Sequence, residues 1–183
     1  MAKGCLPQLV DAKGKKRFIR LSRRFEDSKV RGYVVDVGPK FFLLALVSDR
    51  IRFDGFECFR ISDVLDVTQD PYAAFAESAL KKRGQRKPTK PRVSLASIET
   101  ILLSAARAFP LVTIHREQVE PHVCWIGRVL DVNRGHVSLL EIGPDATWED
   151  KPDEYPLGQI TRVNFGGDYE DALHLVGGDP FVG

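Results

Sequence analysis

The sequence predicts a mainly β protein with some α-helix, built as two small β-barrels in tandem with a pair of connecting helices. Three observations lead to this fold class. The stretch GYVVDV at 32–37 recurs as GRVLDV at 127–132, so Gly, Val, Asp and Val repeat at a constant offset of 95 residues. Short apolar runs with strand-like alternation surround each copy. Two segments with helical spacing and end signals lie between the copies.

The repeat extends beyond the shared stretch. Phe53 corresponds to Trp148 at the same offset of 95, and Phe59 corresponds to Tyr155 at an offset of 96. The additional residue falls where a turn is expected, and turns tolerate insertions better than strands do. These matches predict the same set of strands in both copies.

Alternation and turn residues predict six short strands per copy. Asp54-Gly55 predicts a type I′ hairpin turn, and Ile19 is matched with Ile114 at an offset of 95. Short strands protect their edges best by closing into a barrel. The predicted strands are 18–23, 32–37, 41–47, 51–53, 56–61 and 64–67, then 111–116, 124–132, 136–142, 147–148, 154–157 and 160–165. The predicted core residues are Val35, Val37, Leu44, Val64, Leu130, Val132, Leu139 and Ile160.

The strand order resembles the SH3-type small barrel, and the Sm-like variety in particular, over about residues 17–70 and 111–166. A short 3₁₀ step is expected before the last strand, at 61–63 and 157–159. Asp36 and Asp131 lie about where Sm-like RNA binders carry an aspartate. Those proteins also carry an Arg-Gly pair near the last strands, which neither copy has there. The resemblance therefore implies the fold and not the RNA-base pocket, and both aspartates are interpreted as turn residues.

The predicted organisation has four parts: a mobile arm at 1–16, the first barrel with its helix at 17–84, a basic linker at 85–93, and a helix with the second barrel at 94–183. In the first helix, predicted for 71–83, one face is expected to pack on the barrel through Tyr72, Phe75, Ala76, Ala79 and Leu80. Ser94 is the expected N-cap of the second helix, predicted for 95–109.

Charge is distributed unequally. Residues 1–92 contain 21 Lys and Arg against 11 Asp and Glu, whereas residues 93–183 contain 6 against 14. Two basic tracts, the first at 13–31 and the second at 81–92, are predicted to contact nucleic-acid phosphates. Alternatively, the first tract is an edge strand protected by charge, or the basic tracts contact the acidic half. The predicted phosphate-binding residues are Lys13, Lys15, Lys16, Arg17, Arg20, Arg23, Arg24, Lys81, Lys82, Arg83, Arg86, Lys87, Lys90 and Arg92.

No familiar catalytic or nucleotide-binding motif is present, so we expect no enzyme, no cofactor and no metal. Three cysteines, no apolar leader and no long apolar run favour a cytoplasmic protein that does not enter the membrane. The sequence therefore predicts a non-catalytic binding module that contacts RNA or DNA. The alternative is a module for protein interaction or self-association, with no nucleic-acid role.

Overall fold

A computed structural model describes residues 4–180 of the 183-residue chain. None of the helices in this range is long and apolar enough to cross a membrane. Two 3₁₀ turns, at Ile61–Asp63 and Leu157–Gln159, precede β5 and β10. The helices are α1 Leu6–Gly14, α2 Ala73–Lys82, α3 Ile98–Ala108 and α4 Asp168–Gly177. The strands are β1 Phe18–Arg23, β2 Glu26–Val37, β3 Phe41–Val47, β4 Phe53–Arg60, β5 Val64–Gln69, β6 Val112–His115, β7 Cys124–Asn133, β8 His136–Glu141, β9 Asp153–Pro156 and β10 Arg162–Phe165.

The chain is mainly β with some α, as predicted, but the prediction of two closed small barrels is wrong. The strands form one open antiparallel sheet in the order β5-β1-β2-β3-β4-β10-β6-β7-β8-β9. Strand β4 pairs with β10 from the other half of the chain, with Phe59 opposite Arg162. This pairing satisfies the backbone groups along both edges, so neither half needs to close on itself.

The two halves of the sheet have the same strand order, five strands each. Their central hairpins also have the same register. In β2–β3 Val34 lies opposite Leu44, and in β7–β8 Val129 lies opposite Leu139, at the offset of 95 that the sequence shows. Both hairpins carry a bulge at the residue that follows.

The first strand of each half follows a different offset. Ile19 lies opposite Gly32, whereas Val112 lies opposite Gly127. Ile19 therefore corresponds to Val112, and the match of Ile19 with Ile114 is wrong. The reason is that the second half has a longer loop between its first two strands, and this loop absorbs the difference.

The repeated Gly and Asp are explained by backbone geometry. A Cβ added to Gly32 would lie 2.1 Å from the carbonyl oxygen of Ala45, and one added to Gly127 would lie 2.1 Å from that of Leu140. At the bulge, Asp36 Oδ1 accepts a hydrogen bond from the backbone N–H of the next residue, 3.0 Å away, and Asp131 Oδ1 does the same at 2.8 Å. The repeat thus records two backbone requirements.

The bulges also decide which predicted core residues are buried. An extra residue in one strand reverses the alternation of side chains beyond it. Val34 is buried in place of Val35, and Leu130 is 48% exposed. The prediction is confirmed for Leu44, Val64, Leu139 and Ile160, whereas Val35, Val37 and Val132 are half-buried and Leu130 is exposed.

The hairpin turn predicted at Asp54-Gly55 is wrong, because these residues lie inside β4. The turn lies earlier, where the N–H of Ser48 donates to the carbonyl of Arg52. Gly55 has a positive φ of 71°, and a Cβ there would lie 2.5 Å from the backbone nitrogen of Gly167. Glycine is therefore required for a close approach between the halves and not for a turn.

Helix α1 forms where a mobile arm was expected. Its Leu9 and Ala12 are buried among residues of β2 and β5. The linker is also packed: Val93 lies in the main core, and Gln85 Oε1 accepts a hydrogen bond from the N–H of Phe53. Apolar burial fixes both segments on the sheet.

Helix α3 begins after Ser97 and not after Ser94. Ser97 Oγ accepts from the N–H of Thr100, and Thr100 Oγ1 accepts from the N–H of Ser97. This reciprocal capping box satisfies two backbone donors that the first helical turn leaves without partners. The helix packs on β7 and β6 through Ile101, Leu102 and Ala105.

Three ion pairs cross from one half of the sheet to the other, beside the pairing of β4 with β10. We call this strand pairing and its ion pairs the inner seam. Arg23 donates to both carboxylate oxygens of Glu117, at 3.0 and 2.7 Å. Arg162 donates to Glu26 Oε1 at 2.7 Å and also binds Glu57. Charge-assisted hydrogen bonds are stronger than neutral ones. Removing one partner of a buried pair is strongly destabilising, because the other charge is then buried without compensation.

Candidate nucleic-acid interface

The structure removes one residue from the predicted phosphate-binding set. The side chain of Arg23 is 0% exposed and lies 4.2 Å above the ring of Phe59, in the inner seam. Burial alone raises the pKa of Glu117, but the hydrogen bonds and charge of Arg23 outweigh it and hold that pKa below its usual range. Arg23 is therefore a structural cation and is unavailable to a ligand.

Four other predicted residues bind carboxylates of the chain itself. Lys15 and Arg17 both bind Asp11. Lys13, on α1, lies 2.7 Å from Asp36, and Lys90 binds the other oxygen of the same carboxylate. These lysine and arginine side chains are about half exposed, and exposed ion pairs contribute little stability.

Asp36 brings the two basic tracts together. Partial burial raises its pKa, but hydrogen bonds from Lys13, Lys90 and the N–H of Val37 have the larger combined effect, so its pKa is lowered. The carboxylate therefore stays ionised and connects helix α1 to the linker. Lys13 belongs to the first tract and Lys90 to the second, so two tracts that are far apart in sequence meet at this residue.

A second meeting point lies beside Tyr33. Lys87 Nζ is 3.8 Å from the centre of the Tyr33 ring, and the Tyr33 hydroxyl donates to Glu77. Burial lowers the pKa of Lys87, and the neighbouring charge of Lys16 lowers it further. Lys16, from the first tract, and Lys87, from the second, are thus close enough to repel each other, as two cations held on one surface do.

Helix α2 adds further cations next to this point. Lys81 and Lys82 lie in its last turn. Arg83 follows them and donates to the carbonyl oxygens of Arg50 and Ile51, in the turn between β3 and β4. This contact places Arg50, which is not among the predicted phosphate-binding residues, beside the second tract. The error in the position of the β3–β4 turn concealed this neighbour.

Two exposed aromatic residues lie on the outer side of α2. Tyr72 is 68% exposed and Phe75 is 65% exposed. The expectation that they pack on the sheet is wrong, because the small residues Ala73 and Ala76, with Leu80, occupy the buried side instead. Phe75 and Lys82 are seven residues apart and share a side of the helix. Aromatic and basic groups therefore lie on one surface.

We call this surface the basic face. It includes a groove of about 440 Å³ between α2 and the linker, lined by Tyr33, Phe53 and Lys87 among others. Within residues 4–180, no ion pair engages its lysines or arginines. Its members are Lys16, Arg50, Tyr72, Phe75, Lys81, Lys82, Arg83, Arg86 and Lys87.

The remaining predicted residues are less closely associated with the basic face. Arg20 lies opposite Arg31 on β2, and Arg31 binds Asp49. For Arg24 and Arg92, the described part of the chain shows no side-chain bond to the face. Residues 4–180 also contain no group of three or more His, Cys, Asp or Glu side chains that could hold a metal ion.

Comparison with known proteins gives no relative from which a function could be carried over. The chain matches no family model, no curated protein sequence and no solved structure. The proposed function therefore has to rest on the geometry and charge of the basic face.

Proposed function

We propose that this chain is a non-catalytic binding protein whose basic face holds single-stranded RNA or DNA. The observation that carries the proposal is the convergence of the two basic tracts at Asp36 and beside Tyr33, on a surface that also exposes Tyr72 and Phe75 at helix α2. Lysine and arginine contact phosphates. Exposed aromatic rings stack bases with little sequence preference, and a single strand leaves its bases free for this contact.

The charges favour an electrostatic mode of binding. Lys81, Lys82 and Arg86 are exposed, and none forms an ion pair within the described chain. Each is therefore able to replace a counterion at a phosphate, and the released counterions make binding dependent on salt. Two exposed acids lie close to these cations, Glu77 in the groove and Asp49 in the β3–β4 turn, and they reduce the positive potential there.

Binding is tested with fluorescently labelled single-stranded RNA and DNA of mixed sequence, titrated by anisotropy between about 50 and 200 mM salt. We expect log K to fall linearly with log salt, by about 0.7 for each phosphate neutralised on a single strand. Replacing Lys81, Lys82 and Arg86 with alanine should reduce that slope by about 2. The matched control removes three exposed cations elsewhere, through Lys40→Ala, Arg107→Ala and Lys151→Ala, and should leave the slope nearly unchanged.

The aromatic contribution is tested separately. Replacing Tyr72 and Phe75 with alanine should weaken binding by about 1–3 kcal/mol per stacked base. The salt slope should stay the same, because these rings carry no charge. If neither RNA nor DNA is retained at about 50 mM salt, where such binding is strongest, the proposal is wrong.

A different observation favours a second candidate function, that of a protein-interaction module. Helix α4 leaves Leu175 85% exposed and Val176 76% exposed in its last turn, whereas its first turn is acidic. Exposed apolar side chains at one helix end are typical of contact sites. In that case Leu175→Ser should abolish capture of a partner protein, and the Lys81, Lys82 and Arg86 variant should not.

A further inference from the structure

Within residues 4–180, the open sheet ends in two edge strands, β5 and β9, each paired on one side only. These edges have the same positions in their halves as the two edges that meet in the inner seam. In each half the fourth strand pairs next to the third with the same register: Phe42 lies opposite Phe59, and Val137 lies opposite Tyr155. Strand β9 therefore corresponds to β4, and by the same comparison β5 corresponds to β10. The backbone geometry therefore allows β9 of one copy to pair with β5 of another copy, as β4 pairs with β10.

The β9 side has the same charged groups as the β4 side of the inner seam. Arg116 lies 5.0 Å from the Tyr155 ring, as Arg23 lies 4.2 Å from the Phe59 ring. Both arginines have a buried Nε with no acceptor in the described chain. Arg116 binds Glu120, as Arg23 binds Glu26.

A second acid completes the correspondence. Leu44 lies opposite Glu57, and Leu139 lies opposite Asp153. Asp153 therefore takes the place of Glu57. The β9 edge thus presents one cation and two anions in the arrangement that the β4 edge presents to β10.

The β5 side has the opposite charges. Ser22 lies opposite Asp66, and His115 lies opposite Arg162, so Asp66 takes the place of Arg162. Arg24 follows Arg23 in the chain as Glu117 follows Arg116, so Arg24 takes the place of Glu117. The residues that reach across the inner seam from β10 and from the end of β6 are thus replaced by residues of the reverse sign.

The consequence is that every ion pair of the inner seam would become a repulsion between two copies. Arg23 with Glu117 would become Arg116 with Arg24. Both pairs of Arg162, with Glu26 and Glu57, would become Asp66 with Glu120 and Asp66 with Asp153. Only one pair, Asp66 with Arg116, would attract. These two residues take the places of Arg162 and Arg23, which both lie beside the Phe59 ring in the inner seam. Like charges facing each other at an interface oppose association.

We propose that the β9 edge is a binding surface for a β-strand edge of another protein that carries an arginine at the place of Arg162 and an acid at the place of Glu117. The chain's own β5 edge is excluded from it by Asp66 and Arg24, so copies of this chain do not join head to tail. Because each copy would offer both edges, such joining would produce rings or filaments. The proposal does not rest on nucleic-acid binding, since none of these residues belongs to the basic face.

The test gives the chain's own β5 edge the chemistry of the proposed partner. The variant Arg24→Glu with Asp66→Arg has the same net charge as the natural chain. We expect sedimentation velocity at about 50 mM salt to show single copies for the natural chain and larger species for the variant, since charge pairs act strongly at low salt. Asp66→Arg alone, at an exposed position, removes two of the three repulsions and should associate more weakly.

Two further variants show where the association occurs. Adding Asp153→Arg to the double variant places two arginines opposite each other, and should return the protein to single copies. The variant Arg107→Glu with Asp171→Arg makes the same charge changes away from the edges and should stay single. The proposal is overturned if the folded double variant or Asp66→Arg does not associate, or if Asp153→Arg does not reverse the association. It is equally overturned if the natural chain forms head-to-tail species that Asp153→Arg disrupts.

Discussion

The two halves of the sheet share their strand order and the register of their central hairpins, yet their charges differ. The first half is basic and the second acidic. In both halves the first helix packs mainly on the corresponding strand, α1 on β2 and α3 on β7, although α1 also contacts β5 and α3 also contacts β6. What the halves share is required by the backbone: a glycine where two strands approach closely, and an aspartate that binds the N–H at a bulge. Surface charge is free to differ, and that freedom allows one surface to become basic.

The largest expected difference between corresponding residues is that between Arg23 and Arg116. Arg23→Met leaves Glu117 buried without its cation and should lower the free energy of unfolding by about 3–5 kcal/mol. Arg116→Met releases Glu120, which is 42% exposed, so the lost ion pair should cost about 1 kcal/mol or less. Urea denaturation of both variants measures the difference. Equal losses would mean that the inner seam does not depend on Arg23.

A second pair of substitutions tests what the halves have in common. Leu44 and Leu139 occupy the same register position, and each is 0% exposed. Leu44→Ala and Leu139→Ala should each lower the free energy of unfolding by about 2–5 kcal/mol, because each leaves a cavity in a packed core. An unchanged thermal melt for either variant would contradict the burial of that strand.

Sensitivity to mild acid, between pH 6.5 and 5.5, should arise in the second half, at His115. His115 occupies the position that Ser22 has in the first half, and burial together with the charge of Arg162 lowers the pKa of His115 from 6.5 to about 3. Below pH 6.5, His115 is therefore protonated in the unfolded chain but stays neutral in the folded chain. The free energy of unfolding falls as the pH falls, because protonation favours the unfolded chain. Between pH 6.5 and 5.5 the loss from this one group is about 1 kcal/mol.

The variant His115→Ser removes that group. Its free energy of unfolding, measured by urea denaturation at several pH values, should depend less on pH than that of the natural chain across this interval. The absolute stability of the variant is not the readout, because the substitution also removes a contact with Asn164. Parallel pH curves for the two proteins would mean that His115 is protonated normally in the fold.

The smallest expected effect concerns helix ends. Ser97 caps α3 through its side chain, whereas the residue before α2, Tyr72, has no side-chain cap of this kind. Ser97→Ala should lower the free energy of unfolding by about 1 kcal/mol. Tyr72→Ala should change it less, since that side chain is exposed. A larger loss for Tyr72→Ala would show that the ring contributes to stability as well as to the basic face.

Local sequence signals predicted the elements that depend on neighbours in the chain. The repeat located the central hairpins, and the helix signals located α2 and α3 to within a few residues. The turn predicted at Asp54-Gly55 is wrong because Gly55 is needed where the backbone of Gly167 packs closely against it. Gly167 is distant in sequence, so no local pattern indicates this contact. The closed barrels failed for a similar reason, since the partner of β4 lies in the other half of the chain.

The candidate site was predictable only in part. Charge alone located the two basic tracts, but their convergence depends on the fold. Alternation within β1 could not show that Arg23 turns into a buried ion pair with a residue 94 positions away. The exposure of Tyr72 and Phe75 was missed because Ala73, Ala76 and Leu80, and not the two aromatic residues, face the sheet from α2.

The inner seam has a consequence for the order in which the strands pair during synthesis and folding. Glu57 on β4 and Arg162 on β10 are 105 positions apart, so a ribosome completes β4 long before its partner strand exists. Contacts this distant in sequence form late, because closing a long loop costs entropy before any contact offsets it. During that interval β4 presents an open edge with Glu57 and Phe59 uncovered. Pulse-labelled hydrogen exchange during refolding should therefore show the amides of β2 protected before those of β10, and simultaneous protection would rule out this order.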